Sequence, residues 1–281
     1  MRFEKWQALG NDYVIVEREA LPWELTAARI RRICEPHTGI GSDGILLISE
    51  THDSSCVAEV RILNPDGSEA ELSGNGVRQA ALYLERSNRT SGGGEFCVMT
   101  KAGSVRATIT AADTATLEMG RASIASPDYP TGPKNGVGTL QAGGRGWNFQ
   151  HVSIGNPQCV IEAADEVEEL DLGTIGPEIE NSELFPNRTN VSFIRIDGSI
   201  VRARIFERGV GETAASGTGA SGAAVAAFIR GAPSPITVKL DGGELVVEIS
   251  DDLDVTLTGT ASCVYRGEIS VDLAQELANL S

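Results

Sequence analysis

Ser73-Gly74-Asn75-Gly76 opens the apolar run Val77 to Leu84, and Ser216-Gly217-Thr218-Gly219 opens the run Ala220 to Ile229, 143 residues later. Working outward, Leu9-Gly10-Asn11-Asp12-Tyr13-Val14-Ile15-Val16-Glu17 is echoed by Ile154-Gly155-Asn156-Pro157-Gln158-Cys159-Val160-Ile161-Glu162 at an offset of 145 residues. Arg61-Ile62 is echoed by Arg204-Ile205 at 143. Three landmarks that recur in the same order at nearly one spacing divide the chain into two related halves. Two copies are too few for a solenoid, so the expected arrangement is a pair of lobes with the Ser-Gly-x-Gly turns on either side of a shared cleft.

Each turn reads as a helix start, because its glycines allow a tight turn and the residues that follow have helical character. A helix start offers free N–H groups and a partial positive charge, which together hold a carboxylate or phosphate. One copy could be an ordinary glycine-rich cap. Two matching copies point to a small anionic ligand gripped from both sides.

A net charge of −16 over 281 residues argues against nucleic acid and anionic membrane surfaces as partners. Met1 to Trp6 runs directly into a strand-like segment, with no apolar signal core and no stretch of about 18 apolar residues. A cytoplasmic location is expected. The five cysteines, Cys34, Cys56, Cys97, Cys159 and Cys263, are scattered and mostly set among apolar residues, without a Cys-x-x-Cys pair. That pattern suits buried reduced thiols rather than disulfides or zinc. His37, His52 and His151 have no metal-ligand spacing, so no metal site is expected.

Short apolar or alternating runs read as strands: Asp12 to Val16, Gly44 to Ile48, Ala58 to Leu63, Phe96 to Met99, Val105 to Ile109 and Thr116 to Met119 in the first half. The second half repeats the mixture from His151 to Thr258. Helices are expected over Thr26 to Cys34, Gly76 to Glu85 and after Gly219. Many strands against one long helix per half predict an α+β (α/β) fold, two pseudo-symmetric lobes in which a curved, mostly antiparallel sheet wraps a central helix. Such a helix must be apolar nearly all round, as Ala220 to Ile229 is. The expected lobes are residues 1–125 and 147–264, with 126–146 as a glycine- and proline-rich linker and about 265–281 returning to the first lobe.

Gly217-Thr218-Gly219-Ala220-Ser221-Gly222 fits the dinucleotide pattern Gly-x-Gly-x-x-Gly, but the sister copy places Gln79 at the third glycine, which argues against a Rossmann site. No Gly-Lys-Ser/Thr follows the glycines, and neither serine lies in a Gly-x-Ser-x-Gly elbow.

Gly10-Asn11-Asp12, His37 to Gly44, Asn64 to Glu71, Gly74-Asn75-Gly76-Val77-Arg78, Gly155-Asn156-Pro157, Glu207-Arg208-Gly209 and Gly217-Thr218-Gly219 resemble segments of diaminopimelate epimerase, in order and over essentially the whole chain. The resemblance implies two pseudo-symmetric lobes, a homodimer, a small amino-acid substrate and cofactor-independent inversion of LL-diaminopimelate to the meso form. It implies that Asn11, Asn64, Asn156 and Asn190 bind the remote amino and carboxyl groups of the substrate and that Arg208 pairs with a carboxylate. It gives Glu207 the α-ammonium or a share of the proton transfer, and Gly74-Asn75 and Gly217-Thr218 the α-carboxylate. In that family a cysteine precedes each turn and the two act as base and acid on opposite faces of the α-carbon. The matching positions here are Ser73 and Ser216, and Gln158 stands where the family has a histidine after Asn-Pro. Two further readings accommodate the serines: a lyase or isomerase of the hydroxyproline dehydratase type, and an amino-acid binder without proton chemistry.

Overall fold

The computed structural model describes residues 1–90, 92, 94–163 and 166–280. The chain divides into two compact units, one of residues up to Leu117 together with those from Gly259 onward, the other Glu118–Thr258. The expected linker 126–146 therefore belongs to the second unit. It contains a strand, because Val137 to Ala142 pairs with the strand that follows through a two-glycine turn at Gly143-Gly144.

In chain order the first unit is built from β1 (Arg2–Ala8), β2 (Asn11–Glu17), α1 (Ala27–Cys34), β3 (Ile45–Ser49), β4 (Ala58–Leu63), β5 (Glu69–Ala70), α2 (Gly74–Arg86), β6 (Glu95–Thr100), β7 (Gly103–Ala111) and β8 (Thr114–Arg121). The second holds β9 (Val137–Ala142), β10 (Arg145–Ser153), β11 (Pro157–Glu162), α3 (Leu172–Glu180), β12 (Asn190–Asp197), β13 (Ile200–Glu207), β14 (Gly211–Thr213), α4 (Gly217–Ile229), β15 (Ile236–Leu240), β16 (Gly243–Ile249) and β17 (Asp254–Thr260). The chain then returns to the first unit with β18 (Ser262–Glu268) and α5 (Val271–Asn279).

The sequence echo corresponds to a duplicated topology. The first sheet runs β18-β1-β2-β3-β4-β6-β7-β8, with β2–β3 and β4–β6 parallel and the remaining neighbours antiparallel. The second runs β9-β10-β11-β12-β13-β15-β16-β17, with parallel pairs at the same two places, β11–β12 and β13–β15. Even an ion pair is repeated: Arg61 reaches Glu69 at 2.8 Å across β4–β5, and Arg204 reaches Glu212 at 2.6 Å across β13–β14.

Each sheet curves round one helix. α2 touches β1, β2, β3, β4 and β7, and α4 touches β10 to β13, β15 and β16. Gly217 to Ala227 are all buried, which explains why α4 has no polar face. In the first unit the other sheet face is covered by α1 and α5, with Ile30, Ile33 and Leu277 against Val14, Ile45 and Leu47. In the second unit α3 takes that place, with Ile175 and Ile179 among Phe149, Phe193 and Phe206. The sequence concealed α3 because Gly173, Gly176 and Pro177 lower its helix propensity. Asp171 caps it by accepting from the Thr174 N–H at 3.3 Å, and Gly176 is held by packing, since a Cβ there would stand 2.5 Å from the Phe206 ring.

The expectation of reduced thiols fails for Cys56 and Cys97, which form a disulfide with Cα atoms 4.3 Å apart. Parallel pairing sets Ala58 opposite Val98 and brings the Val57 N–H to the Cys97 carbonyl at 2.8 Å. The two cysteines thus become neighbours despite lying 41 positions apart in the chain, a register that sequence spacing does not reveal. Cys34 and Cys159 are buried thiols and Cys263 is half-buried. Among the described residues no helix is long and apolar enough to cross a membrane.

Gly176→Ala forces a methyl into the Phe206 ring and is expected to cost about 1–3 kcal/mol, measured as a lower urea midpoint. His151 is fully buried, with Nε2 2.9 Å from the Ser126 Oγ, and burial pulls its pKa below 6.5 while Asp128 opposes the shift. A depressed folded pKa contributes stability above the unfolded value and loses it as pH falls through the folded one. Stability should therefore decline below about pH 6.5, and His151→Gln should flatten that part of the curve in urea titrations.

Candidate functional site

Both serines are N-caps with nearly the same backbone, Ser73 at φ −138°, ψ 114° and Ser216 at φ −137°, ψ 123°. The Ser73 Oγ accepts the Gly76 N–H at 3.1 Å and the Ser216 Oγ accepts the Gly219 N–H at 3.2 Å. This is the preferred chemistry of a helix start, where a short hydroxyl satisfies one of the orphan donors. Each hydroxyl thus holds one N–H of its helix start and lies in the partial positive charge of that end.

Around Ser216 the expected residues form a hydrogen-bonded group. Ser216 Oγ donates to Glu207 Oε2 at 2.9 Å, and Thr213 Oγ1 donates to Oε1 at 2.9 Å. Glu207 ends β13 and Thr213 ends β14, so the hairpin between them aims the carboxylate at the start of α4. Asn156 donates from Nδ2 to Thr218 Oγ1 at 3.2 Å and accepts from Gln158 Nε2 at 2.7 Å. Gln158 therefore orients an expected binding residue, and its own Oε1 is buried without a hydrogen-bond partner. Asn190 is almost fully buried, donating to the Pro157 carbonyl at 3.1 Å and accepting the Arg208 N–H at 2.8 Å. Its amide ties the Gly155-Asn156-Pro157 turn to the Glu207-Arg208-Gly209 turn. Arg208 is half-buried, and its Nη1 donates to the Asn187 carbonyl at 2.9 Å.

In the first unit the expected residues are joined more loosely. Asn11 follows Gly10 at the start of β2. Its Nδ2 donates to Asp43 Oδ2 at 3.0 Å, and its carbonyl accepts from Gln79 Nε2 of α2 at 3.0 Å. The Tyr13 hydroxyl, two residues on, stands 3.5 Å from the Ser73 Oγ. Asn64 sits just past the end of β4, and its Nδ2 donates to Ser68 Oγ at 2.9 Å, closing its own turn. Asn75 is buried, and its Oδ1 accepts from Arg78 Nη2 at 2.6 Å.

Several supporting residues escaped the sequence reading. Glu180 accepts from the Gly209 N–H and from Arg188 Nη1, both at 2.8 Å, and so fixes the turn that carries Arg208. It gave no signal because it ends the concealed helix α3. Asp43 receives both Asn11 Nδ2 and the Asp12 N–H, the latter at 2.9 Å. Asp12 itself meets Lys5 at 3.3 Å, and burial raises its pKa against the pull of Lys5. Among the described residues no group of three or more His, Cys, Asp or Glu side chains is placed to hold a metal ion.

The sequence profile of the diaminopimelate epimerase family matches residues 3–125 and 150–264. Diaminopimelate epimerase 2 of Nostoc sp. is 39% identical over 97% of this chain and 97% of its own length. Chloroplastic diaminopimelate epimerase of Oryza sativa subsp. japonica is 35% identical over 95% of this chain and 79% of its own. Among solved structures, a hydroxyproline epimerase from Agrobacterium vitis superposes with a TM-score of 0.69 at 17% identity, covering 97% of this chain and 93% of that one, and so shares the fold. Extent and identity together decide the relationship: the chain belongs to the diaminopimelate epimerase family and is an isomerase of the epimerase type.

Proposed function

We propose that this chain inverts the α-carbon of LL-diaminopimelate, with serines at the two proton-transfer positions. The observation that carries this reading is the 2.9 Å hydrogen bond from Ser216 to Glu207 at the start of α4, on a helix whose sister begins with an identically capped Ser73. A thiol ionises near ~8.5 and a hydroxyl several units higher, each unit being worth ~1.4 kcal/mol. A serine therefore needs an accepting partner for its proton. In this reading Ser216 takes the α-proton as its own hydroxyl proton passes to Glu207, and Ser73 delivers a proton to the opposite face.

The N–H groups of the two turns bind the α-carboxylate and stabilise the enolate-like charge that develops as the proton leaves. Arg208 offers a planar fork for a carboxylate, and Asn11, Asn64, Asn156 and Asn190 address the remote groups of the substrate. No cofactor enters, since both protons move through side chains. The same reading includes a homodimer in the cytoplasm.

A second reading is favoured by one asymmetry: Ser216 donates to a carboxylate of its own unit at 2.9 Å, whereas Ser73 stands 3.5 Å from the Tyr13 hydroxyl of its own unit. A base on one face suffices for a lyase or isomerase that removes an α-proton and expels a β-substituent.

Proton NMR of the unaltered protein with LL-diaminopimelate in D₂O separates the two. Loss of the α-hydrogen signal together with meso product is expected. Exchange without inversion would favour the second reading, and line broadening without exchange would leave only binding. The double substitution Ser73→Cys and Ser216→Cys should create or raise epimerisation at least tenfold, and no gain in a folded double variant would mean that the pocket does not fit this substrate. Arg208→Lys, which keeps the charge but loses the fork, should raise KM more than it lowers kcat in the same assay.

A further inference from the structure

The two helix starts share a backbone but not their charges. Arg78 lies one turn into α2, fully buried, and reaches back to the N-terminal turn: Nη1 donates to the Gly74 carbonyl at 3.3 Å and Nη2 to Asn75 Oδ1 at 2.6 Å. Its Nε is buried without a hydrogen-bond partner, and among the described residues it has no carboxylate partner. The corresponding residue of α4, 143 positions on, is Ser221, which donates from Oγ to the Gly217 carbonyl at 2.9 Å. The same carbonyl is thus held in both helices, by a cation in one and by a neutral hydroxyl in the other. The converse holds at Glu207, whose counterpart 143 positions earlier is the neutral Asn64.

A buried guanidinium is costly unless an anion compensates it. Burial lowers the Arg78 pKa to about 10, which leaves it a cation at neutral pH. Its two donated hydrogen bonds go to neutral oxygens of the turn, so its charge favours an anion there. Within its own unit the Ser73 hydroxyl stands 3.5 Å from the Tyr13 hydroxyl of β2, and Arg78 bonds to the two residues that follow Ser73; within the other unit the Ser216 hydroxyl bonds to Glu207 of β13.

We infer that Arg78 is a positioning residue that makes the Ser73 turn the anion-favouring end of the proton relay, while Glu207 makes the Ser216 turn the proton-accepting end. Arg78 acts in two ways, by orienting Asn75 through its Oδ1 and by adding a full positive charge to that of the helix start. The inference rests on the reading that positions 73 and 216 handle protons, but it can be tested without substrate.

The test places a thiol at each position in turn, with Ser73→Cys and Ser216→Cys as separate variants. The pH dependence of iodoacetamide alkylation is followed peptide by peptide by mass spectrometry, which keeps Cys34, Cys159 and Cys263 apart from the introduced group. The thiol at position 73 should ionise at least about one pH unit below the one at 216, the range for a nearby opposite charge against a nearby like one. Adding Arg78→Met to Ser73→Cys should raise that pKa by about one unit or more, and Arg78→Lys should recover part of the shift, because the charge returns without the fork. Adding Glu207→Gln to Ser216→Cys should lower the other.

Equal ionisation at the two positions, or a position-73 thiol unmoved by Arg78→Met, would overturn the inference. Equal loss in the Met and Lys variants would reduce Arg78 to a structural clamp and overturn its electrostatic part. If Arg78→Met does not fold, the comparison of the two single thiol variants still decides. The D₂O experiment reports on the reaction itself, so failure there with the predicted thiol difference intact would leave the polarity standing and remove the substrate assignment.

Discussion

The first N–H groups of α2 and α4 have no partners within their own helices, and much of this molecule serves to hold those two helix starts in place. A helix buried on every side has nowhere to send unpaired donors except to caps or to a ligand. Ser73 and Ser216 each satisfy one donor, and the glycines around them leave the remaining backbone approachable. Each sheet fixes its helix by wrapping it, so the turn is held by strands from nearly the whole width of the sheet.

Duplication explains why the same architecture appears twice, and divergence explains what each copy does. The strand order, the positions of the parallel pairs, the capping serines and the Arg–Glu pair across β4–β5 and β13–β14 are all repeated. The charges near the caps are not. Glu207 stands where the first copy has Asn64, and Arg78 stands where the second has Ser221. Structure is thus conserved between the copies where backbone geometry depends on it, and altered in the charges set beside the two caps.

The supporting network shows how a binding turn is made rigid. Asn190 joins two turns by accepting from one and donating to the other, Glu180 holds the neighbouring Gly209, and Gln158 orients Asn156 toward Thr218. Each link is a single hydrogen bond worth about 1 kcal/mol, but together they leave the second-unit group little freedom before any ligand arrives. Pre-organisation of this kind lowers the cost of binding a polar ligand, because the dipoles need not reorganise.

The sequence by itself determined the duplication, the two capped helix starts, most of the strands and the family, because these depend on local chemistry: the spacing of apolar residues, the backbone freedom of glycine and the short hydroxyl of serine. It also named Ser216, Glu207, Asn156, Thr218, Asn190 and Arg208, through motif matching and not through any knowledge of contact, but not Thr213, which holds the Glu207 carboxylate from the neighbouring strand. What it could not give depends on register and packing. Cys56 and Cys97 are joined because two parallel strands set them side by side, and α3 exists because Phe206 and its neighbours accept a glycine that helix propensity would reject. Within the linker expected over 126–146, Val137–Ala142 is a strand because it finds β10 as its partner. Glu180, and the contrast between Arg78 and Glu207, emerged only from tertiary structure, since a side chain's partner and burial are set by what the fold brings against it.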